Sequence, residues 1–154
     1  MFDNEISQAA ATYNVPESWI RATIQTESSW DPNAFRNEPT IQDASYGLMQ
    51  LLWRTAKGLG FTGAATELYN PALNIDLGAK LLGQLRGRFG DDYRAVYSAY
   101  NSGKADAWQY SDQVAANVAR ALQNLEKYEP AAAGGGVVLL LGLLVWWVFF
   151  KKKK

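Results

Sequence analysis

Cysteine and histidine are both absent from the 154 residues. Their absence excludes thiol nucleophiles, disulfide staples, Cys/His zinc centres and every Ser-His-Asp arrangement at once. Any chemistry must run on carboxylates, hydroxyls, amides and aromatic rings, and neither a metal nor a cofactor is expected. A basic surplus is lacking too. Of the fifteen Lys and Arg, four form the run at 151–154, which leaves eleven on residues 1–130 against fifteen Asp and Glu. No basic stripe remains for a phosphate backbone, so nucleic acid is not an expected partner. Sustained alternation of apolar and polar residues is also missing, which leaves at most a small β-hairpin in a mainly α domain. The first eleven residues hold two acids and neither a basic start nor an apolar run, so no secretory signal is expected there.

Helical periodicity organises what is present. Ile6, Ala9, Ala10 and Tyr13 share one face, Asn14-Val15 breaks the pattern, and Pro16 opens a second helix from its first turn. Residues 34–45 keep no period and read as a loop able to act as a substrate-facing flap. Helix is expected again over 48–59, ended by Gly58 and Gly60, and from about 74 to 85. Further helices are expected along Tyr93, Val96, Tyr97 and Tyr100, stopped by Asn101-Ser102-Gly103, and along Val114, Val118, Leu122 and Leu125. Six Trp and eight Tyr suit a carbohydrate groove as well as they suit a core.

The end of the chain has a different composition. Residues 131–136 are an Ala/Gly linker, 137–150 are apolar or Gly and end in Trp146, Trp147, Phe149 and Phe150, and 151–154 are all Lys. Fourteen helical residues span roughly 21 Å, and counting from 131 gives roughly 30 Å, the thickness of a hydrocarbon core. Aromatic rings followed by Lys are what a membrane–water interface selects. The expectation is one domain over 1–130 and a single transmembrane helix over 137–150, or from 131, with the lipid bilayer as a partner.

Glu27 is the candidate catalyst. It shares a helix face with Ile24, Thr23, Ile20 and Trp19, where a structural role would call for another apolar side chain. A carboxyl buried there stays protonated at a pH where an exposed one ionises, which suits a general acid. Asp31-Pro32 must then stop the helix, placing Glu27 at its end beside a rigid turn.

Four ordered motifs follow: Glu27-Ser28-Ser29-Trp30-Asp31-Pro32-Asn33-Ala34, Tyr46-Gly47-Leu48-Met49-Gln50, Asn70-Pro71-Ala72-Leu73-Asn74-Ile75 leading into Gly78, and Ala99-Tyr100-Asn101-Ser102-Gly103. Over about residues 15–114 the chain resembles the lytic transglycosylases of the goose-type-lysozyme-like superfamily. That resemblance implies an α+β lysozyme-like fold and cleavage of the β-1,4 bond between N-acetylmuramic acid and N-acetylglucosamine in peptidoglycan strands. In such enzymes one Glu protonates the glycosidic oxygen and then, as carboxylate, takes the proton of the C6 hydroxyl, closing a 1,6-anhydro ring. The resemblance assigns that role to Glu27. It places Ser28, Gly47, Met49, Gln50, Tyr100 and Asn101 at the substrate site, Met49 and Gln50 as a cleft-lining pair and the Tyr100 hydroxyl beside the acid, with Tyr110 a further groove residue.

A second acid would favour hydrolysis, and Asp43 or Glu38 in the loop are the candidates, Asp31 being explained by the turn. Leu51 and Leu52 stand where goose-type lysozymes carry an acid close behind the same motif, which favours transglycosylation. Trp53-Arg54-Thr55-Ala56 replaces the family's usual Pro before Thr-Ala and adds a candidate aromatic surface, and Ser102-Gly103-Lys104 replaces Ala-Gly-Pro. The rival readings are a muramidase using water, a non-enzymatic wall-binding or virion structural protein, and a lysis protein acting through its tail. A wall-cutting domain with a C-terminal anchor fits the virion membrane of a bacteriophage, with other virion proteins as partners, or a bacterial inner membrane facing the wall.

Overall fold

The computed structural model describes residues 1–129. The expected linker (131–136), membrane helix (137–150) and lysine run (151–154) lie outside the described residues, among which no helix is long and apolar enough to cross a membrane. The element order is α1 (Asp3–Tyr13), α2 (Glu17–Glu27), β1 (Phe35–Glu38), β2 (Asp43–Tyr46), β3 (Leu51–Leu52), α3 (Trp53–Gly58), α4 (Pro71–Phe89), α5 (Tyr93–Ser102) and α6 (Asp112–Tyr128).

Local chemistry sets most of these bounds. Asn14 ends α1 in a left-handed conformation and returns its N–H to Ala10 O. Pro71 sits in the first turn of α4, and the Asn70 side chain accepts from Leu73 N–H. Asp92 and Ser111 cap α5 and α6 in the same way. α6 packs along α2, α1 along α4, and α5 lies between α4 and α6. Ile6, Ile20, Ile24, Ile75, Leu82 and Val96 are fully buried at the centre. Thr23 and Thr26 share that interior because their hydroxyls donate back to Trp19 O and Ala22 O of their own helix.

Two expectations are corrected. The hairpin is a three-stranded antiparallel sheet, ordered β1-β2-β3, with Phe35 opposite Tyr46 and Tyr46 opposite Leu51. The helix expected over 48–59 is confined to α3. Gly47 at φ +71° and Gln50 at φ +46° turn the chain, so Leu51-Leu52 pairs with Ser45 and Tyr46 instead of continuing a helix. The apolar run of Leu48, Leu51 and Leu52 belongs to a buried turn and strand, and its spacing imitates a helical face.

The turn is held from α4. Asn74 is fully buried; its Oδ1 accepts from Met49 N–H at 2.8 Å and its Nδ2 donates to Tyr46 O and Leu68 O, each at 2.8 Å. A Cβ on Gly47 would come within 2.6 Å of Asn74 Nδ2 and of Leu68 O, so the glycine serves both its backbone angle and this close approach. Gly78, one turn along α4 from Asn74, seats Met49: a Cβ there would lie 2.2 Å from Met49 Sδ. Asn74→Ala strands one buried N–H and two buried carbonyls, and urea denaturation should show a loss of about 3 kcal/mol. A loss under about 1 kcal/mol would mean that water or local relaxation satisfies the turn.

Candidate active site

Glu27 is the last residue of α2. Ser28 follows as the cap, its N–H and Oγ both directed to Ile24 O at 3.1 and 3.2 Å. The chain then reverses through Ser29 and Trp30, both at positive φ, and Asp31 Oδ1 accepts from Asn33 N–H at 2.9 Å. Trp30 secures this unusual turn, donating from Nε1 to Gln25 Oε1 at 3.0 Å and to the Tyr128 hydroxyl at 3.1 Å. The acid thus projects from a helix end tied to both α2 and α6.

The Glu27 carboxyl is recessed, and burial pushes it above its ordinary range. A hydrogen bond from Tyr97, and then the charges of Arg36 and Arg120, pull partly the other way, while Glu38 adds to the rise. The Tyr97 hydroxyl donates to Glu27 Oε1 at 2.6 Å. Its ring is buried, and burial together with the neighbouring Glu27 drives its phenol far above the ordinary range, so it acts as a permanent donor. Among the described residues Glu27 Oε2 makes no hydrogen bond. Since no buried side-chain N or O among them lacks a partner, Oε2 is not fully enclosed and is the accessible oxygen left free to meet a substrate.

The residues expected around Glu27 occupy three kinds of place. Tyr100 is close, its ring stacked on Tyr97 at 6.2 Å and 12°, but its hydroxyl donates to Met49 O at 2.7 Å. The phenol hydrogen-bonded to the acid is Tyr97, one turn earlier on α5, while Tyr100 stays near it: burial first and then the Glu27 charge raise its phenol well above the ordinary range. Met49, expected to line the cleft, has no exposed surface, and Gly47 is packed against Asn74, so both form the floor of the turn. Gln50 is partly exposed; its Nε2 donates to Ala34 O and Gly47 O at 3.0 Å each, which joins the turn to the segment before β1 and leaves Oε1 as its unengaged polar atom. Asn101 Oδ1 accepts from Asn117 at 3.3 Å. Tyr110 is 78% exposed, and among the described residues its hydroxyl bonds Asp106, at 3.4 Å.

The other candidate acids are engaged structurally. Asp43 has a side chain only 6% exposed; its two oxygens accept from Ala44 N–H at 2.8 Å and Arg54 N–H at 3.2 Å, with the Arg54 guanidinium 3.9 Å away. It ties β2 to the start of α3. Glu38 Oε1 accepts from Arg36 Nε at 2.5 Å and from Ser45 Oγ at 3.4 Å. Arg36 and Glu38 alternate along β1 with Phe35, so they share the face opposite the Phe35–Tyr46 ring contact. Trp53 is 37% exposed on α3, with Lys57 Nζ 3.8 Å over its ring and Nε1 directed to Gly63 O, so it offers an aromatic surface beside the sheet. Among the described residues no three acids approach closely enough to hold a metal ion.

Tyr97 and Asn74 were not singled out as site residues by sequence reading. Their signal was present in the spacing. Tyr93 and Tyr97 are four apart on α5, as Thr23 and Glu27 are on α2, and the pairs meet hydroxyl to hydroxyl at 3.1 Å and hydroxyl to carboxyl at 2.6 Å.

A family profile described as the transglycosylase SLT domain matches residues 4–123. The chain is 38% identical over 112 residues to a membrane-bound lytic murein transglycosylase C of Histophilus somni, covering 64% of this chain and 30% of that protein. It is 39% identical over 102 residues to a transglycosylase of Enterobacteria phage PRD1, covering 66% of this chain and 35% of that one. The chain thus spans about a third of the length of these curated relatives. Among solved structures, an inactive mutant of lytic transglycosylase Slt from Pseudomonas aeruginosa superposes with TM-score 0.68 at 24% identity, covering 79% of this chain and 23% of that one. The soluble lytic transglycosylase of Escherichia coli gives 0.61 at 21% identity, covering 81% and 21%. At these identities the two structures speak to the fold.

The raised carboxyl makes a stability prediction with a definite sign. Folded Glu27 holds its proton more tightly than the unfolded chain, so its contribution to stability is intact below the ordinary value of 4.5 and is lost as pH rises through the higher folded value. Glu27→Gln cannot ionise. Thermal denaturation should show the variant gaining on the parent between pH 4 and pH 8, and a gap that stays constant or narrows would contradict a raised Glu27.

Proposed function

The chain belongs to the transglycosylase SLT family, and from that membership we propose that it is a peptidoglycan lytic transglycosylase in which Glu27 is the acid and then the base. The observation that carries the reading is a single recessed carboxyl with one oxygen capped and one open. Protonated Oε2 delivers its proton to the glycosidic oxygen between N-acetylmuramic acid and N-acetylglucosamine as the bond to C1 breaks. The same oxygen, now ionised, receives the proton of the muramic C6 hydroxyl as O6 bonds to C1. The proton inventory closes and no water is consumed. Gln50, through Oε1, and Asn101 are proposed substrate contacts; Ser28 shapes the helix end, and Gly47, Met49 and Tyr100 shape the floor beneath the sugar.

The engagement of Asp43 and Glu38 by Arg54 and Arg36 favours this chemistry over hydrolysis, which needs a second free carboxylate to activate water. We further propose that residues 137–150 anchor the domain in a membrane, with the lysine run 151–154 at its edge. The membrane-bound and phage relatives support a site of action at a bacterial envelope, on the inner membrane or in a virion membrane.

Mass spectrometry of digested peptidoglycan should detect 1,6-anhydro-muramic ends, and Glu27→Gln should lower turnover about a thousandfold. Reducing muramic ends would instead identify a hydrolase, and unchanged action of Glu27→Gln would identify a wall-binding protein. For the anchor, the full chain should float with lipid vesicles and resist carbonate extraction, whereas a chain carrying Leu140→Asp and Leu144→Asp should not. Equal flotation of the two would reject a spanning segment.

A further inference from the structure

Three observations on α5 converge on the acid. Tyr97 donates to one oxygen of Glu27 at 2.6 Å, the other oxygen has no partner among the described residues, and the Tyr97 ring is clamped between two other phenols. Tyr93 lies 5.9 Å from it and Tyr100 6.2 Å, and each is itself fixed, Tyr93 by Thr23 Oγ1 at 3.1 Å and Tyr100 by Met49 O at 2.7 Å. The Tyr97 hydroxyl therefore has little freedom to leave Oε1.

We infer that Tyr97 is a positioning residue that assigns the catalytic proton of Glu27 to Oε2 and keeps it there through both halves of the reaction. This rests on the transglycosylase reading. A phenol that donates to Oε1 favours the carbonyl form of that oxygen, so the protonated carboxyl carries its hydrogen on Oε2, the accessible oxygen. When Oε2 gives that proton to the glycosidic oxygen, both carboxylate oxygens accept, and Tyr97 continues to donate to Oε1 without moving. Oε2 then takes the C6 proton from the same direction. Acid and base steps need no rotation of the carboxyl, which is how a fixed donor lowers the cost of reorganisation. A rotating carboxyl would spend part of its time with the proton on the buried oxygen, out of reach of the sugar. The hydroxyl that Tyr100 gives to Met49 O is unavailable for this task, so the role falls to Tyr97.

Tyr97→Phe keeps the ring and removes the donor. Because that donor favours the ionised carboxyl, its loss should move the Glu27 titration to higher pH, read by carbon-13 NMR of labelled glutamate with Glu27→Gln locating the resonance. The alkaline limb of the pH–rate profile should move the same way. The turnover number should fall about ten- to a hundredfold with KM nearly unchanged, as expected for a charge-assisted hydrogen bond. Tyr13→Phe is the control: it removes a phenol–carboxylate hydrogen bond to Asp76 between α1 and α4 and should lower the melting temperature while leaving the titration and the limb in place. A wild-type titration in Tyr97→Phe, or an equal shift in Tyr13→Phe, overturns the inference. Should Tyr97→Phe not fold, the wild-type chain still decides it. Its Tyr97 hydroxyl proton must move downfield as Glu27 ionises, and a proton that ignores that titration also overturns the inference. The titrations do not depend on turnover, whereas absence of 1,6-anhydro ends from the wild type would reject the transglycosylase reading instead.

Discussion

The buried amide of Asn74 is the interaction on which the described architecture turns. It is the one side chain that holds the strand end at Tyr46, the turn at Met49 and the segment at Leu68 simultaneously, and it does so from a helix fixed at both ends. An amide suits this place because it combines an acceptor with two donors, and the surrounding backbone presents one N–H and two carbonyls. Aspartate or leucine of similar size would leave part of that set unpaired. The close fit also dictates its neighbours: Gly47 must lack a side chain to lie against it, and Gly78 must lack one to admit Met49. Two of the sequence motifs are therefore parts of one packed unit.

That unit is joined to the acid through α5. Tyr93, Tyr97 and Tyr100 lie along one face of the helix, and their hydroxyls reach two elements: Thr23 and Glu27 on α2, and the Met49 carbonyl in the turn. A shift of α5 by one residue would break all three. The helix thus sets the distance between the acid and the floor of the turn, and rigid elements do the positioning. The arrangement carries a cost, since an apolar enclosure disfavours the ionised form of Glu27, as the direction of its titration records. Sites that need a recessed acid trade stability near neutral pH for a carboxyl that keeps its proton.

Periodicity made the helices legible because each buries one stripe, and Asn14 and Gly103 marked the ends of α1 and α5, whereas the Asn70 cap was not legible and α4 begins at Pro71, ahead of the expected start near 74. Glu27 was legible for the same reason, as a carboxyl where the stripe called for a hydrocarbon. The region 48–59 was not. Its leucines keep helical spacing, but the left-handed angle at Gln50 and the pairing of β3 with β2 override it, and neither is written in a local pattern. The hydrogen bond from Tyr97 was hidden differently. Both lie on one face of α5, and which hydroxyl meets the acid depends on how far α5 slides along α2, a tertiary quantity set by Thr23 and Tyr93. Motif resemblance placed Met49 at a cleft, yet complementarity with Gly78 buries it completely.

The missing histidine returns as a constraint on how the proposed chemistry can be arranged. Without an imidazole, an acid step and a base step near neutral pH require either two carboxyls of different character or one carboxyl used twice. Two are disfavoured here by prior commitments: Asp43 is spent on joining β2 to α3, and Glu38 is paired with Arg36 on the sheet face whose charges act on Glu27. Freeing either would loosen the sheet and its tie to α3. One carboxyl used twice must present the same oxygen both times, because the leaving oxygen departs from, and O6 bonds to, the same face of the same muramic C1. A capped Oε1 and an open Oε2 meet that requirement by geometry alone. The recessed position that raises the carboxyl for the first step and the fixed phenol that supports its ionised form for the second are thus complementary demands, and they are met from two different helices.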